Sequence, residues 1–396
     1  MIRLFLVVSM IALAGAPLAG CGGAQPLISA SSAEQQAPAS TSYKSLYSFG
    51  KGSDGQQPKA ALIDIKGVFY GTTYGGGANA DGTVFSMSTT GAEKLLYSFL
   101  GGNDGANPSA GLLAVKGVLY GTTEYGGGEY SFGTVFKISA TGREKVLHDF
   151  DPMPDGANPV ASLIDVKGTL YGTTYNGGID GNGTVFRIST SGKEKVLYSF
   201  FFYYPSGGNV AANLLDVKGT LYGTTELGGS GGQSAGYGTL YSISTTGTEK
   251  LLYGFDNSDG YYPAASLINV NGTLYGTTVG GGGSGFFGTA FSITTSGSLT
   301  TLHTFGSGTD GEAPWAPLLN VRGTLYGTTA GGGFYGKGTV FSMSLSGTNE
   351  KVLHSFGHGS DGATPLAGLI YVKGALYGTT SAGGKDGDGT VFALTP

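Results

Sequence analysis

Cysteine and tryptophan each occur once in 396 residues, and histidine occurs four times. A single thiol excludes an internal disulfide framework and a multi-cysteine zinc site. Charged residues make up only 12 % of the chain, with 21 basic against 26 acidic, so there is no basic field to hold nucleic acid. The 14 prolines follow no Gly-X-Y period, which removes collagen. No window of helical period competes for the fold. Glycine, by contrast, is abundant at 76 residues, roughly one in five where about 7 % is usual. With 24 Tyr, 21 Phe and 40 % hydrophobic residues the chain is too apolar for a disordered glycine-rich tail. The glycine therefore belongs to a folded, turn-dense structure.

The N-terminus reads as an address. Arg3 supplies one positive charge, Leu4 to Leu13 is apolar except for Ser9, and small residues lead to Leu18-Ala19-Gly20-Cys21. That is the order of a secretory signal, and the run is short for a membrane-spanning helix. The segment resembles the bacterial lipobox, which implies lipidation of Cys21 on its sulfur and, after cleavage, on its amine. Two or more acyl chains anchor far more firmly than one. In similar lipoproteins an Asp after the Cys favours the inner membrane; Gly22 here points to the outer membrane, periplasmic or surface-exposed. Residues 1–20 are thus expected to be a lipoprotein signal, 21–42 a flexible Ala/Ser/Gln/Gly-rich tether, and 43–396 the folded domain.

Seven copies of one unit fill that domain. Tyr-Gly-Thr-Thr begins at Tyr70, Tyr120, Tyr171, Tyr222, Tyr275, Tyr326 and Tyr377, a period of about 50 residues. Unit 3 shows the pattern: Asp155-Gly156-Ala157-Asn158-Pro159, then strand a around Leu163, Lys167-Gly168, strand b through Tyr171, a glycine-rich loop, strand c at Gly183-Thr184-Val185-Phe186, and strand d ending at Phe200. Glycine in two-residue turns makes successive strands antiparallel. The folded region opens on an isolated strand d, Leu46 to Phe49, and ends on a strand c, so only the N-terminus can complete unit 7. An all-β, seven-bladed β-propeller of four-stranded antiparallel blades follows, closed by an N-terminal strand d joining C-terminal strands a to c. Strand a starts with Ala in all seven units, so it is expected to line the crowded axis, and the glycine inside strand b to admit an aromatic ring or backbone.

Asp-Gly-x-x-Pro, Leu-Ile, Leu-Tyr-Gly-Thr-Thr, Gly-Gly-Gly and Gly-Thr-Val-Phe together resemble the bacterial GloVer tandem repeat, a surface-protein family attached by varied anchors. The blade order is more distantly similar to the virginiamycin B lyase type of seven-bladed propeller. That second resemblance implies acidic residues after strand b in a catalytic funnel.

The d-to-a and b-to-c loops share one face, the a-to-b and c-to-d turns the other. On the second face, Glu93-Lys94, Glu144-Lys145, Glu194-Lys195 and Glu249-Lys250 are expected to cancel charge locally. The first face carries the aromatics that break the repeat: Tyr125 and Tyr130, the Phe201 to Tyr204 run with Tyr203 and Tyr204, Tyr261 and Tyr262, Phe286 and Phe287, Trp315, and Tyr335. Flat rings beside polar groups grip sugars or protein partners, so a non-catalytic binding module for a polysaccharide or envelope protein is expected, as a monomer. The alternative is a lyase or hydrolase using Glu124 and Glu226, which directly follow Tyr-Gly-Thr-Thr. No cofactor is required. Calcium is the one ion considered, at the Asp-Gly loops of Asp54, Asp104, Asp155, Asp259, Asp310 and Asp361, although Asp followed by Gly is also explained by turn chemistry.

Overall fold

The computed structural model describes residues 41–201, 207–229, 236–283, 285, 287–306 and 309–396. The leader with Cys21, nearly all of the tether, and Tyr203, Tyr204 and Phe286 lie outside the described residues.

The described chain folds as seven four-stranded antiparallel sheets, each one blade. In blade 3 the strands are a Ile164–Val166, b Thr169–Thr174, c Thr184–Ser189 and d Glu194–Ser199, hydrogen-bonded in chain order. Blade 7 combines Ile370–Val372, Ala375–Thr380 and Thr390–Thr395 with the N-terminal Ser42–Ser48, which pairs from Ser42 opposite Thr395 to Ser48 opposite Thr390. This closing strand begins one residue before the expected boundary and is longer than Leu46 to Phe49. Tyr43 anchors the extension: its ring stacks on His354 at 4.0 Å and its hydroxyl donates to the Asp361 carbonyl.

Local chemistry explains the strand ends. In every a-to-b hairpin both central residues have positive φ, as at Lys167 (53°) and Gly168 (87°), the type I′ geometry that matches strand twist. Strands a of neighbouring blades lie against one another around the axis, blade 1 against blade 7 included. Small residues are required there: the Ser162 N–H donates to Asn213 Oδ1 at 2.6 Å, and the Asn213 N–H to Ser266 Oγ at 2.9 Å.

The glycine of strand b admits an aromatic ring, as the sequence suggests. Gly172 pairs directly with Phe186 of strand c, and a Cβ on Gly172 would stand 2.6 Å from Phe186 Cζ and 2.7 Å from Leu163 Cδ2. The ring is met edge-on by the Phe that ends strand d of the preceding blade. Phe150 and Phe186 lie 5.2 Å apart, and the six equivalent pairs, from Phe49–Phe85 to Phe356–Phe392, lie between 5.0 and 5.2 Å. Strand d is the outermost strand of each blade, and the Phe that follows it is buried between blades. Beside each ring pair the first Thr of Tyr-Gly-Thr-Thr reaches across the junction: Thr173 Oγ1 donates to the Ala212 carbonyl at 3.3 Å, and Thr379 to Ala60 at 3.3 Å across the terminal closure. Blade 4 departs from the pattern: Thr224 Oγ1 is buried without a partner, and so is the hydroxyl of Tyr241, which stands where the other blades have Phe.

The perimeter corrects the expectation of local Glu-Lys pairing. Among the described residues the ion pairs are all His–Asp. The glutamates that open strand d turn inward, toward the Tyr or His and the loop Asp of the preceding blade. Tyr47 Oη donates to Asp54 Oδ2 at 2.6 Å, and Glu93 of blade 1 faces both. Tyr97 repeats this with Asp104 at 2.8 Å, facing Glu144. Blade twist causes the arrangement, because it brings the start of one strand d beside the end of the previous one. Burial, and then the negative charge of Asp54 or Asp104, pushes the carboxyls of Glu93 and Glu144 up to about 7 from 4.5.

Gly172→Ala is expected to force the ring out of place and lower stability by about 1–3 kcal/mol, and Tyr241→Phe to raise it by about 1 kcal/mol by removing an unpaired buried hydroxyl. Denaturant unfolding of the two variants beside the native protein measures both. Because the folded pKa of Glu93 and Glu144 exceeds the unfolded one, the stability they leave intact below pH 4.5 is lost as pH rises through about 7. Melting temperature should fall across that window in the native chain and fall less in Glu93→Gln/Glu144→Gln; parallel declines would contradict the assignment.

Candidate functional site

The d-to-a and b-to-c loops meet on one face by backbone pairing in every blade, for example Ala157 with Asn176 and Tyr261 with Gly280. The first loop contains a left-handed residue at a fixed place: Gln57, Asn107, Asn158, Asn209, Tyr262, Ala313 and Thr364 all have φ between 55° and 60°. Asn tolerates that conformation and uses it. Asn107 Nδ2 donates to the Tyr74 carbonyl at 2.9 Å and Asn158 Nδ2 to the Glu124 carbonyl at 3.0 Å, stitching each loop to the blade before. In blade 5 the residue is Tyr262, a bulky side chain in a conformation that costs such residues energy. Its ring is 39 % exposed and packs edge-on against Tyr261 at 4.9 Å. Tyr261 in turn lies over Gly280, where any Cβ would collide with the ring.

Beside these rings is an open cavity of about 530 Å³ over blades 3 to 6. It is lined by Tyr175, Glu226, Leu227, Tyr261, Tyr262, Val279, Gly280 and Trp315. That volume suits a small ligand or the end of a longer one. Trp315 stands at the slot before strand a and is 40 % exposed. The Tyr175 hydroxyl donates to Glu226 Oε2 at 2.8 Å. Burial raises the pKa of Glu226 against the lowering effect of that bond, and burial followed by the Glu226 charge raises that of Tyr175. Among the described residues no Lys or Arg lines the cavity, and the lining there has a single acid among four rings.

Of the sequence candidates, Trp315, Tyr261, Tyr262 and Glu226 are brought together. Glu124 is not in this cavity: it lies one blade away from Tyr175, beside Tyr125, Lys59 and Ser109, with its pKa raised by burial. The Lys59 ammonium sits 3.2 Å from the Tyr74 ring centroid next to it. Tyr125 and Tyr130 are exposed on blade 2, and Tyr335 is exposed against Phe334 at 4.8 Å and His358 at 5.7 Å. Phe287 is partly buried and packs against the hydrophobic core of blades 5 and 6, away from the residues that line this cavity. Tyr175 is the residue that sequence reasoning passed over. Its signal was present, because it occupies the same place after Tyr-Gly-Thr-Thr as Glu124 and Glu226.

Of the Asp-Gly carboxylates considered for calcium, those of Asp54 and Asp361 are occupied in turns. Asp54 Oδ1 accepts from the N–H groups of Gly50 and Lys51 at 3.1 and 3.0 Å, and Asp361 from Gly357 at 2.9 Å, while their other oxygens take Tyr47 and His354. His148, His303 and His354 stand in the Tyr place of strand d, away from the cavity.

No curated protein matches the chain. Among solved structures, a Bacteroides uniformis protein provisionally assigned as a 6-phosphogluconolactonase superposes with a TM-score of 0.52 at 14 % identity, over 80 % of this chain and 88 % of that one. At that identity the likeness is one of fold. The model of the Gloeobacter/Verrucomicrobia repeat matches residues 35–235 and 230–396. Together these spans take in all seven blades, and the chain belongs to the Gloeobacter/Verrucomicrobia repeat family.

Proposed function

We propose that the protein is an envelope-anchored binding module whose first-face cavity grips a sugar residue of a polysaccharide. The observation that carries this reading is the convergence of Tyr175, Tyr261, Tyr262 and Trp315 on one cavity, with Tyr262 held at φ 55° where three other blades place Asn. Sugar rings present C–H faces that pack on flat aromatics and hydroxyl edges that need directed acceptors; Glu226, oriented by Tyr175, is such an acceptor. The absence of Lys and Arg from the lining disfavours an anionic ligand. A lyase or hydrolase would need a second acid or base beside Glu226. The partner in the structure is a phenol, and among the described residues no histidine lines the cavity.

The anchor reading rests on Leu18-Ala19-Gly20-Cys21 and on that Cys being the only one in the chain. No helix of the described residues is long and apolar enough to cross a membrane.

On a glycan array the native protein is expected to bind at least one neutral polysaccharide. Trp315→Ala should weaken that binding roughly five- to thirtyfold, the effect of losing about 1–2 kcal/mol at a central aromatic contact. Tyr262→Asn, which restores the residue of blades 2 to 4, should weaken binding without lowering the melting temperature. Inertness of the native protein across the array, or binding indifferent to both variants, would sink the proposal. For the anchor, Cys21→Ser is expected to move the protein from the membrane to the soluble fraction and abolish incorporation of labelled palmitate; unchanged fractionation would refute lipidation.

A further inference from the structure

At each blade junction three positions converge on the perimeter: the Tyr or His near the end of strand d, the Asp of the loop that follows, and the residue that opens strand d of the next blade. The repeat varies these positions independently. Histidine occupies the first in blades 2, 5 and 6, as His148, His303 and His354. Glutamate occupies the third in five junctions, but Leu299 stands there after blade 4 and Tyr43 after blade 6. All three metal-ligating types therefore meet at two junctions. His148, Asp155 and Glu194 join blades 2 and 3, and His303, Asp310 and Glu350 join blades 5 and 6. In each set the candidate ligand atoms lie within 4.8 Å of one another.

We infer that these two His-Asp-Glu clusters are binding sites for a divalent transition metal, each clipping a pair of adjacent blades. One imidazole nitrogen and two carboxylate oxygens form a donor set suited to zinc or manganese. The clusters also hold groups that the protein leaves unsatisfied. His148 Nε2 and Glu194 Oε1 are buried without a hydrogen-bond partner, and Glu350 Oε1 is too. His148 Nε2 stands 3.2 Å from Asp155 Oδ2, and His303 Nε2 2.9 Å from Asp310 Oδ2, so nitrogen and carboxylate already converge. A cation placed among the three would satisfy lone pairs that burial hides from water.

The remaining junctions act as built-in controls. Glu93 and Glu144 also have an orphaned oxygen, but the third group there is a phenol, which gives its proton to the Asp and is a poor ligand when neutral. The nitrogen is what separates the two sets. His354 has nitrogen and Asp361, yet Tyr43 is stacked on it at 4.0 Å where a glutamate would complete the set.

The test is metal stoichiometry on the purified full chain, stripped with chelator and titrated calorimetrically with zinc and, separately, manganese. Two ions per chain are expected for the native protein and for His354→Tyr. His148→Tyr or His303→Tyr should leave one, and the double variant none. Tyr is the residue of the other junctions, so these changes keep the Asp partnered; Glu194→Gln/Glu350→Gln gives a second route to loss should a tyrosine variant misfold. Metal should raise the melting temperature of the native chain and leave that of the double variant unmoved. A stoichiometry that the double variants leave unchanged, zero included, overturns the inference.

Discussion

An aromatic ring laid on a bare glycine is the contact from which the rest of the ring of blades follows. Because Gly172 has no Cβ, the Phe186 ring can occupy the space over strand b and meet Phe150 of the blade before at an interplanar angle of 69°, 5.2 Å away. A side chain at the glycine would lift one ring and misplace its partner in the neighbouring blade. Seven repetitions give each junction nearly the same spacing, and the Thr-to-Ala hydrogen bonds sit beside it. Since stability is concentrated in these repeated junctions, the loops above them can vary without loosening the ring.

Much of this was legible in the order of residues. The period of Tyr-Gly-Thr-Thr, the turn glycines and the unmatched strands at the two ends state blade number, strand direction and mode of closure. What resisted reading was any contact that depends on blade twist. Glu93 has Lys94 beside it in sequence, and local pairing is the natural expectation. In space it faces Tyr47 and Asp54 of the preceding blade, a contact that sequence neighbours do not foretell. Phe287 illustrates a second limit. An aromatic that breaks the repeat can line an open cavity, as Tyr262 does, or fill a gap beneath a loop, and only packing separates the two. Tyr175 was missed for a third reason: a tyrosine looks unremarkable in a chain with 24 of them, although its position after the repeat motif was the same as that of Glu226.

The cavity shows how a symmetric scaffold acquires one particular place. Asn at the left-handed position ties a loop to its neighbour, and blades 2, 3 and 4 retain it. Blade 5 gives up that tie and presents Tyr262, while blade 6 puts Trp315 where the others have smaller or flexible residues. Neither change touches the ring-on-glycine contacts below. Individuality therefore resides in positions that the fold can release, which is why loop strain and repeat-breaking residues coincide on one face.

The closing strand has a consequence for how the molecule is made. Ser48 and its partner Thr390 are 342 positions apart. At ~5–20 residues per second, synthesis leaves the first strand waiting about 20–70 s for its partner. Until then Ser42–Ser48 lacks the partner it pairs with in the folded blade, and Lys44 is the one charge within it to discourage pairing with another edge. Arrival of Thr390–Thr395 supplies that partner. A polypeptide cut short before Thr390 would thus leave its first strand without the partner that completes blade 7.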